Sequence, residues 1–250
     1  MTKQDINFDP LFDRFQKNIY GGIKGQVRER LIKEQLDKHL EILPGMSVAD
    51  IGGGLGQMSQ WFLERGATVD YFDLSERMLE SAKETLKQHS KHIEFKLGAF
   101  QRYLEKQYDI VFCQAVLEWL EEPIAGLNKL SQHLKPGGQL ILMFYNLDSI
   151  KLRNLVRGNL NAAFGDLSGN GTGLTPINPL EAESIWQALD DLKLQRQHHF
   201  GIRCFTDLQD KKVQQRLGAD TLFEFERELC EKEPYRSLAR YIAVIAKAPE

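Results

Sequence analysis

The sequence predicts an α/β domain in which a parallel sheet is covered by helices on both faces. Three observations carry that prediction. Short apolar runs alternate with amphipathic stretches through residues 46–145, the first run leads into the glycine-rich Asp50-Ile51-Gly52-Gly53-Gly54-Leu55-Gly56, and the second ends on another acid, Asp73. Ligands of such sheets bind at the carboxyl ends of the strands, where both acids lie.

Along the chain, Val27, Leu31, Leu36 and Leu40 recur at close to one helical turn, which predicts an amphipathic helix over 24–41 behind the turn Gly21-Gly22. Met46 to Ile51 is a short apolar strand, and Met58-Ser59-Gln60-Trp61-Phe62-Leu63 after the glycines is helical. Thr68 to Phe72 forms the second strand. Ser75 then caps a helix over 75–87, because its hydroxyl can accept from an amide of the first turn that has no helical partner. Ile93 to Leu97 and Tyr108 to Cys113 are the third and fourth strands. A helix over 122–134 stops at Lys135-Pro136-Gly137-Gly138, and Gln139 to Tyr145 is the fifth strand. Residues 147–178 break the rhythm, with Gly165, Gly169, Gly171 and Gly173 among Asp, Ser, Asn and Thr, and predict a mobile insertion. Beyond it 179–191 is helical and Leu192 to Phe205 strand-like. Val213, Leu217, Phe225 and Leu229 mark another amphipathic helix before a last strand over Tyr241 to Ala246. No repeat or linker divides the chain, so a single domain is expected.

Composition narrows the function classes. With 250 residues, 42% hydrophobic and 27% charged, the chain can bury a core without disulfides or a structural metal. Cys113, Cys204 and Cys230 are odd in number and form no C-x-x-C pair, which argues against a zinc ribbon and fits a reducing compartment. No apolar run approaches the ~20 residues of a membrane span and the N-terminus shows no hydrophobic signal segment, so a cytoplasmic protein is expected. The net charge of -3 argues at first against a nucleic-acid partner, but the charge is unevenly spread. Residues 14–38 hold seven basic against three acidic residues, residues 193–216 hold six against two, and Lys151, Arg153 and Arg157 have no acid among them. Residues 1–150 carry 18 basic and 21 acidic residues, and residues 151–250 carry 14 of each, so the excess acid lies in the sheet-forming half.

Glycines after a strand let the backbone turn tightly and approach a ligand. The dinucleotide fingerprint G-x-G-x-x-G needs glycine where Gln57 or Ser59 stands, and the phosphate loop G-x-x-x-x-G-K-[ST] is absent. What remains is G-x-G-x-G with Asp73 about 20 residues on, where an acid can accept hydrogen bonds from both hydroxyls of a ribose. The pair points to a nucleoside ligand.

The glycine loop, Asp73, Gln114-Ala115-Val116-Leu117-Glu118-Trp119 after the fourth strand and Leu134-Lys135-Pro136-Gly137-Gly138 before the fifth occur in an order that resembles the class I S-adenosylmethionine-dependent methyltransferases over residues 46–145. Arg14 to Gly21, Lys24 to Arg28, Met143-Phe144-Tyr145-Asn146, Gly201-Ile202-Arg203, Glu233-Pro234-Tyr235 and Arg240-Tyr241-Ile242 are similar to the branch of that family that modifies tRNA wobble uridines, over nearly the whole chain. The resemblance implies a Rossmann-like class I methyltransferase sheet with an N-terminal helical extension and an insertion after the fifth strand. It divides the single domain into a helical cap (1–43), a cofactor-binding core (44–146), the mobile insertion (147–178) and a C-terminal part with substrate-binding decorations (179–250). The implied cofactor is S-adenosyl-L-methionine, with no metal and no membrane. Gly52, Gly53 and Gly54 would pass under its methionine and ribose, and Asp73 would hold the ribose hydroxyls. Phe100 and Gln101 would border the adenine, and Gln114 would lie at the methionine end, where this branch is expected often to carry histidine. Arg28 would pair with the methionine carboxylate through two parallel hydrogen bonds.

The implied reaction methylates the carboxylate of 5-carboxymethoxyuridine at the wobble position, giving the ester, so the implied partner is a tRNA anticodon stem-loop. Such an acid has a pKa of about 4 and is ionised at neutral pH without a general base. Catalysis then reduces to aligning the reacting atoms in a dry site. Accordingly no Ser-His-Asp or Cys-His arrangement is evident, and His198 and His199 alternate to opposite faces of a strand. The substrate carboxylate needs a cationic holder, Arg203 first, then Arg240 and Arg153, with one oxygen held and the other free. Tyr145 and Tyr235 are candidate base contacts or packing residues. Lys17, Lys24, Arg153, Arg157, Lys211 and Lys212 would meet phosphates, and the insertion would close over the anticodon loop. Two other readings stay open: the same cofactor with a small-molecule carboxylate or amine, and a non-catalytic nucleoside- or RNA-binding module.

Overall fold

The computed structural model describes residues 5–17 and 21–250, so Asn18, Ile19 and Tyr20, part of the N-terminal resemblance, lie outside the described residues. A one-turn helix α1 (Phe12–Phe15) and the long α2 (Ile23–His39) precede the sheet. There follow β1 (Ser47–Ile51), α3 (Gln57–Leu63), β2 (Thr68–Asp73), α4 (Glu76–Thr85), β3 (Ile93–Leu97) and the short α5 (Phe100–Tyr103). Next come β4 (Tyr108–Gln114), α6 (Pro123–Ser131) and β5 (Leu134–Tyr145). The chain continues through α7 (Leu147–Val156), α8 (Leu160–Ala163), α9 (Ala182–Asp191), β6 (Gln195–Ile202), α10 (Lys211–Leu229), α11 (Tyr235–Leu238) and β7 (Tyr241–Lys247).

The seven strands form one sheet in the order β3-β2-β1-β4-β5-β7-β6. β1 to β5 run parallel, and β7 runs antiparallel to both of its neighbours. Strand order reverses between β1 and β4, which opens a crevice at their carboxyl ends. Because β7 is reversed, its first residue Tyr241 pairs with Tyr145, the last of β5. The chain entering β7 is thereby delivered to the same edge as the ends of the parallel strands.

Side chains alternate across a strand, so the apolar runs build two cores. Val48, Val69, Tyr71, Ile110, Phe112, Ile141 and Met143 pack on one face against α2, α3 and α10 through Leu31, Leu36, Phe62 and Phe223. Ala49, Ile51, Phe72, Val111, Leu140 and Leu142 pack on the other against Leu127 and Leu130 of α6 and Ile185 and Leu189 of α9. Each such fully buried aliphatic or aromatic side chain contributes about 1.5–3 kcal/mol. Ser75 caps α4, its hydroxyl accepting from the Met78 amide at 3.1 Å.

Several boundaries differ from expectation. The helix expected over 122–134 ends at Ser131, and Lys135-Pro136-Gly137-Gly138 lies within β5. The ladder to β4 begins at Leu134, shifts register, and resumes at Gln139; an irregularity of this kind tolerates a proline that cannot donate. The long α10 is broken at Gly218, where φ is 77° and ψ is 167°. That break changes the helical phase, so Phe225, expected on the apolar stripe, is 57% exposed while Leu222, Phe223 and Glu226 are buried. Residues 5–8 are not helical. No described helix is long and apolar enough to cross a membrane.

Candidate active site

Gly52, Gly53, Gly54, Asp73, Phe100, Gln101, Gln114 and Arg28 all line one cleft at the strand ends, with about 1340 Å³ of empty space, part of it open to solvent. The glycine loop is shaped by what stands beneath it. Gly52 has a φ of 66°, and a Cβ there would meet Val116 Cγ2 at 2.4 Å. A Cβ on Gly53 would lie 2.2 Å from the ring of Tyr71, whose hydroxyl donates to the Gly54 carbonyl at 2.6 Å. Asp50 is turned inward and accepts from the Ser59 hydroxyl at 2.5 Å, with burial pushing its carboxyl up to about 7.

Asp73 accepts from the Gly54 amide at 3.0 Å on one oxygen and from the Ser75 amide at 2.8 Å on the other. Burial pushes it up to about 6 against those two hydrogen bonds. Each carboxylate oxygen keeps a second lone pair. Gln114 ends β4, and the next residue, Ala115, adopts a left-handed φ of 57°, a conformation that costs a non-glycine residue on the order of 1–3 kcal/mol and is held here at the cleft. Gln101 donates from its amide to Asp5 at 3.1 Å, and its Oε1 is buried without a partner. Phe100, expected to present a ring for stacking, is 5% exposed and packs with the second core, so it borders the cleft chiefly as a core residue.

One wall was not legible in the sequence. Residues 5–9 cross from β4 to β2 as a strap: the Ile6 amide donates to the Trp119 carbonyl at 3.1 Å, Asp5 accepts from the Glu121 amide at 2.9 Å, and Asp9 accepts from the Ser75 hydroxyl at 2.5 Å. Phe8 fills the space beneath, edge-on to Trp119 at 4.9 Å and to Phe15 at 5.1 Å. Only the short spacing of acids and aromatics marks this segment.

Behind Tyr145 and Tyr241, which line the cleft, lies a cationic cluster. Asp207 accepts from Lys24 Nζ at 2.7 Å and forms an ion pair with Arg203 Nε at 2.9 Å. Burial acts to raise this carboxyl, but Arg203, Arg240 and Lys24 outweigh it and hold it well below the usual range. Arg203, the first choice for a substrate carboxylate, is 5% exposed and ion-paired with Asp207, and Lys24 donates to the same carboxylate. Arg240 lies over the Tyr145 ring, its Cζ 4.0 Å from the centroid. Tyr145 is buried and lines the cleft, whereas Tyr235 is 44% exposed on α11 and does not line it.

Two buried polar side chains missed in the sequence build this cluster. Asn146 donates to the carbonyls of Ser237 and Ala239 at 2.9 and 3.0 Å while its oxygen caps α7 by accepting from the Asp148 amide at 3.1 Å. It ties the entry to β7, with Arg240, to the helix that carries Arg153. Glu226 accepts from the amides of Cys204, Phe205 and Thr206 at 2.5, 3.2 and 2.9 Å, shaping the loop that carries Asp207. Apart from the Asn146 cap on α7, their partners are remote in sequence, so no local pattern marks these roles. His198 and His199 do take opposite faces of β6, the first stacked on His39 at 3.5 Å and the second edge-on to Trp186 at 5.2 Å. Lys17, Arg157, Lys211 and Lys212 are exposed.

A family model described as a methyltransferase domain matches residues 49–140. Magnesium protoporphyrin IX methyltransferase from Synechocystis PCC 6803, solved with bound SAH, superposes with a TM-score of 0.65 over 96% of this chain and 96% of that one at 19% identity, which shows the fold. The domain match and the fold are those of S-adenosylmethionine-dependent methyltransferases. The tRNA 5-carboxymethoxyuridine methyltransferase of Escherichia coli is 37% identical over 255 residues, covering 99% of this chain and 98% of the relative. A ubiquinone biosynthesis O-methyltransferase of Idiomarina loihiensis is 31% identical over 114 residues, covering 44% of this chain and 47% of its own. The chain belongs to the tRNA 5-carboxymethoxyuridine methyltransferase family.

Proposed function

We propose that this protein transfers a methyl group from S-adenosylmethionine to the carboxylate of 5-carboxymethoxyuridine at the tRNA wobble position. The full-length similarity carries this reading, because it extends through the segments outside the methyltransferase core. Four cations around the single carboxylate of Asp207, beside the cleft, suit an anionic acceptor.

The residues present fit the cofactor. A side chain at Gly52 or Gly53 would strike Val116 or Tyr71, so the loop leaves room only on its open side, and the buried Oε1 of Gln101 has no partner inside the protein. In this reading Gly52, Gly53 and Gly54 cradle the ligand, Asp73 accepts from the ribose hydroxyls and Arg28 pairs with the methionine carboxylate. Gln101 meets the adenine edge, Phe100 borders it, and Gln114 lies beside the methionine end. When bound, S-adenosylmethionine supplies a methyl group activated by a positive sulfur. The protein's share is positioning: the strap of residues 5–9 and Trp119 exclude water, and the cations fix the acceptor, which is ionised without help.

The RNA face in this reading comprises exposed Lys17, Arg157, Lys211 and Lys212. The 147–178 insertion joins it, presenting exposed Leu160 and Phe164 for bases. Such a substrate places the reaction in the cytoplasm. Mass spectrometry of wobble nucleosides tests the proposal: cells without this protein should accumulate the acid and lose the ester. Purified protein that leaves acid-bearing tRNA unlabelled while methylating a small carboxylate would instead support the small-molecule reading.

A further inference from the structure

Two arginines beside the cleft hold buried donors that nothing accepts. Arg240 Nε and Nη1 and Arg153 Nε are out of solvent and without a hydrogen-bond partner. Native proteins rarely leave such groups unpaired unless a ligand, ion or water takes them up. Asp207 makes no hydrogen bond to either arginine: its Oδ1 accepts from Lys24 at 2.7 Å, and its Oδ2 lies 2.9 Å from Arg203 Nε as an ion pair without hydrogen-bond geometry. Arg153 and Arg240 are close enough for each charge to act on the other, and Arg153 is drawn below its ordinary range by burial and by Arg240. Tyr145 covers one face of the Arg240 guanidinium, which leaves its edge as the side on which an anion can be bound. Tyr145, whose ring carries the Arg240 guanidinium, lines the cleft together with Gln114, so one aromatic ring separates Arg240 from the cleft.

We propose that Arg240 and Arg153 together hold the substrate carboxylate, and that Asp207 is a positioning residue that engages Lys24 and Arg203 and leaves the donors of this pair without an acceptor. The inference rests on the proposed function and identifies where the acid of that substrate sits. In the transfer, a carboxylate oxygen gives an electron pair to the methyl carbon, the carbon–sulfur bond breaks and its pair returns to sulfur. The negative charge of the acid and the positive charge of the sulfonium disappear together, and no proton moves. The pair therefore attracts the substrate and loses its hold on the product. It acts on the bound ground state more than on the transition state, so its removal raises KM more than it lowers kcat.

The test uses one tRNA in two forms that differ by a single methyl group, the acid from cells lacking this gene and the ester from cells that have it. Affinities are measured with S-adenosylhomocysteine present, so that no transfer occurs. The wild type should bind the acid on the order of tenfold more tightly than the ester. Arg240→Gln and Arg153→Gln should each bring that ratio toward one and raise KM, with S-adenosylmethionine affinity unchanged. The ratio is taken within one variant, so a partly unfolded preparation does not disturb it, and Arg240→Lys should restore only part of it. A ratio that stays at the wild-type value in both glutamine variants would overturn the inference and leave the proposed function standing. A wild type that transfers no methyl group to the acid form would overturn the proposed function and this inference with it.

Discussion

Asp73 sits where a strand-end acid is expected, and its surroundings give it a pH signature. Its carboxyl is raised to about 6 by burial, so the ionised form, which in the proposed reading accepts two ribose hydroxyls, is fully present only above that pH. Cofactor affinity should fall as pH drops through 6. Asp73→Asn should bind about tenfold or more weakly at pH 8 and show no such fall, as titration calorimetry at pH 5, 6 and 8 would read. Glu118 reports through stability instead. It is fully buried, accepts from the Tyr145 amide at 3.1 Å, and has its second oxygen unpartnered; burial pushes it up to about 8. The folded state therefore holds a proton that the unfolded chain releases near pH 4.5, and stability from this group is lost as pH rises from there to about 8. Glu118→Gln should be near neutral at low pH and stabilising at pH 9, by about 1.4 kcal/mol for each pH unit of the gap crossed, visible in thermal unfolding at the two pH values. The glycines and Asp73 were legible because a local spacing encodes them. Asp207 and Glu226 were not, since their roles depend on partners that only folding brings near.

Among the elements, the parallel strands were the most legible, because burial writes the central ones as short apolar runs, while the edge strand β3 alternates Ile93, Phe95 and Leu97 with charged residues. The errors lie where one signal masks another. Lys135-Pro136-Gly137-Gly138 has the composition of a turn yet lies inside β5, as the irregularity between the paired Leu134 and Gln139. Gly218 breaks α10 so that the stripe expected to include Phe225 changes phase. Asn146, which joins β5, α7 and the entry to β7, has the largest consequence. Asn146→Ala strands two carbonyls and one helix cap, at a cost of about 3 kcal/mol or a fall in Tm of roughly 6–12 °C. Methyl transfer should fall further than S-adenosylmethionine binding does, because the glycine loop and Asp73, proposed to hold the cofactor, follow β1 and β2, away from this junction. Equal losses in calorimetry and in transfer assays would show that Asn146 serves the whole fold and not this junction.

For the molecule as a whole, net charge is a poor guide to partners. Many of its cations are already committed: Lys24 and Arg203 to Asp207, Arg30 to Asp220, Arg65 to Asp37 and Lys38 to Glu231. Exposed Lys17, Arg157, Lys211 and Lys212 remain for phosphates in the proposed complex. Four such contacts should weaken tRNA binding about 10²-fold between 50 and 200 mM salt, and Lys211→Ala with Lys212→Ala should flatten the slope of affinity against salt by roughly half. A filter-binding series across that range measures both. The reversed β7 also orders the protein's own synthesis. It lies inside the sheet, between β5 and a strand made before it, and brings Arg240 and Tyr241 to the ends of strands that left the ribosome a hundred residues earlier. In the proposed reading the strands that face the nucleoside are made first, and the acceptor side is complete only once β7 has been made. The completed sheet, not the methyl donor, decides when the protein can first meet its substrate.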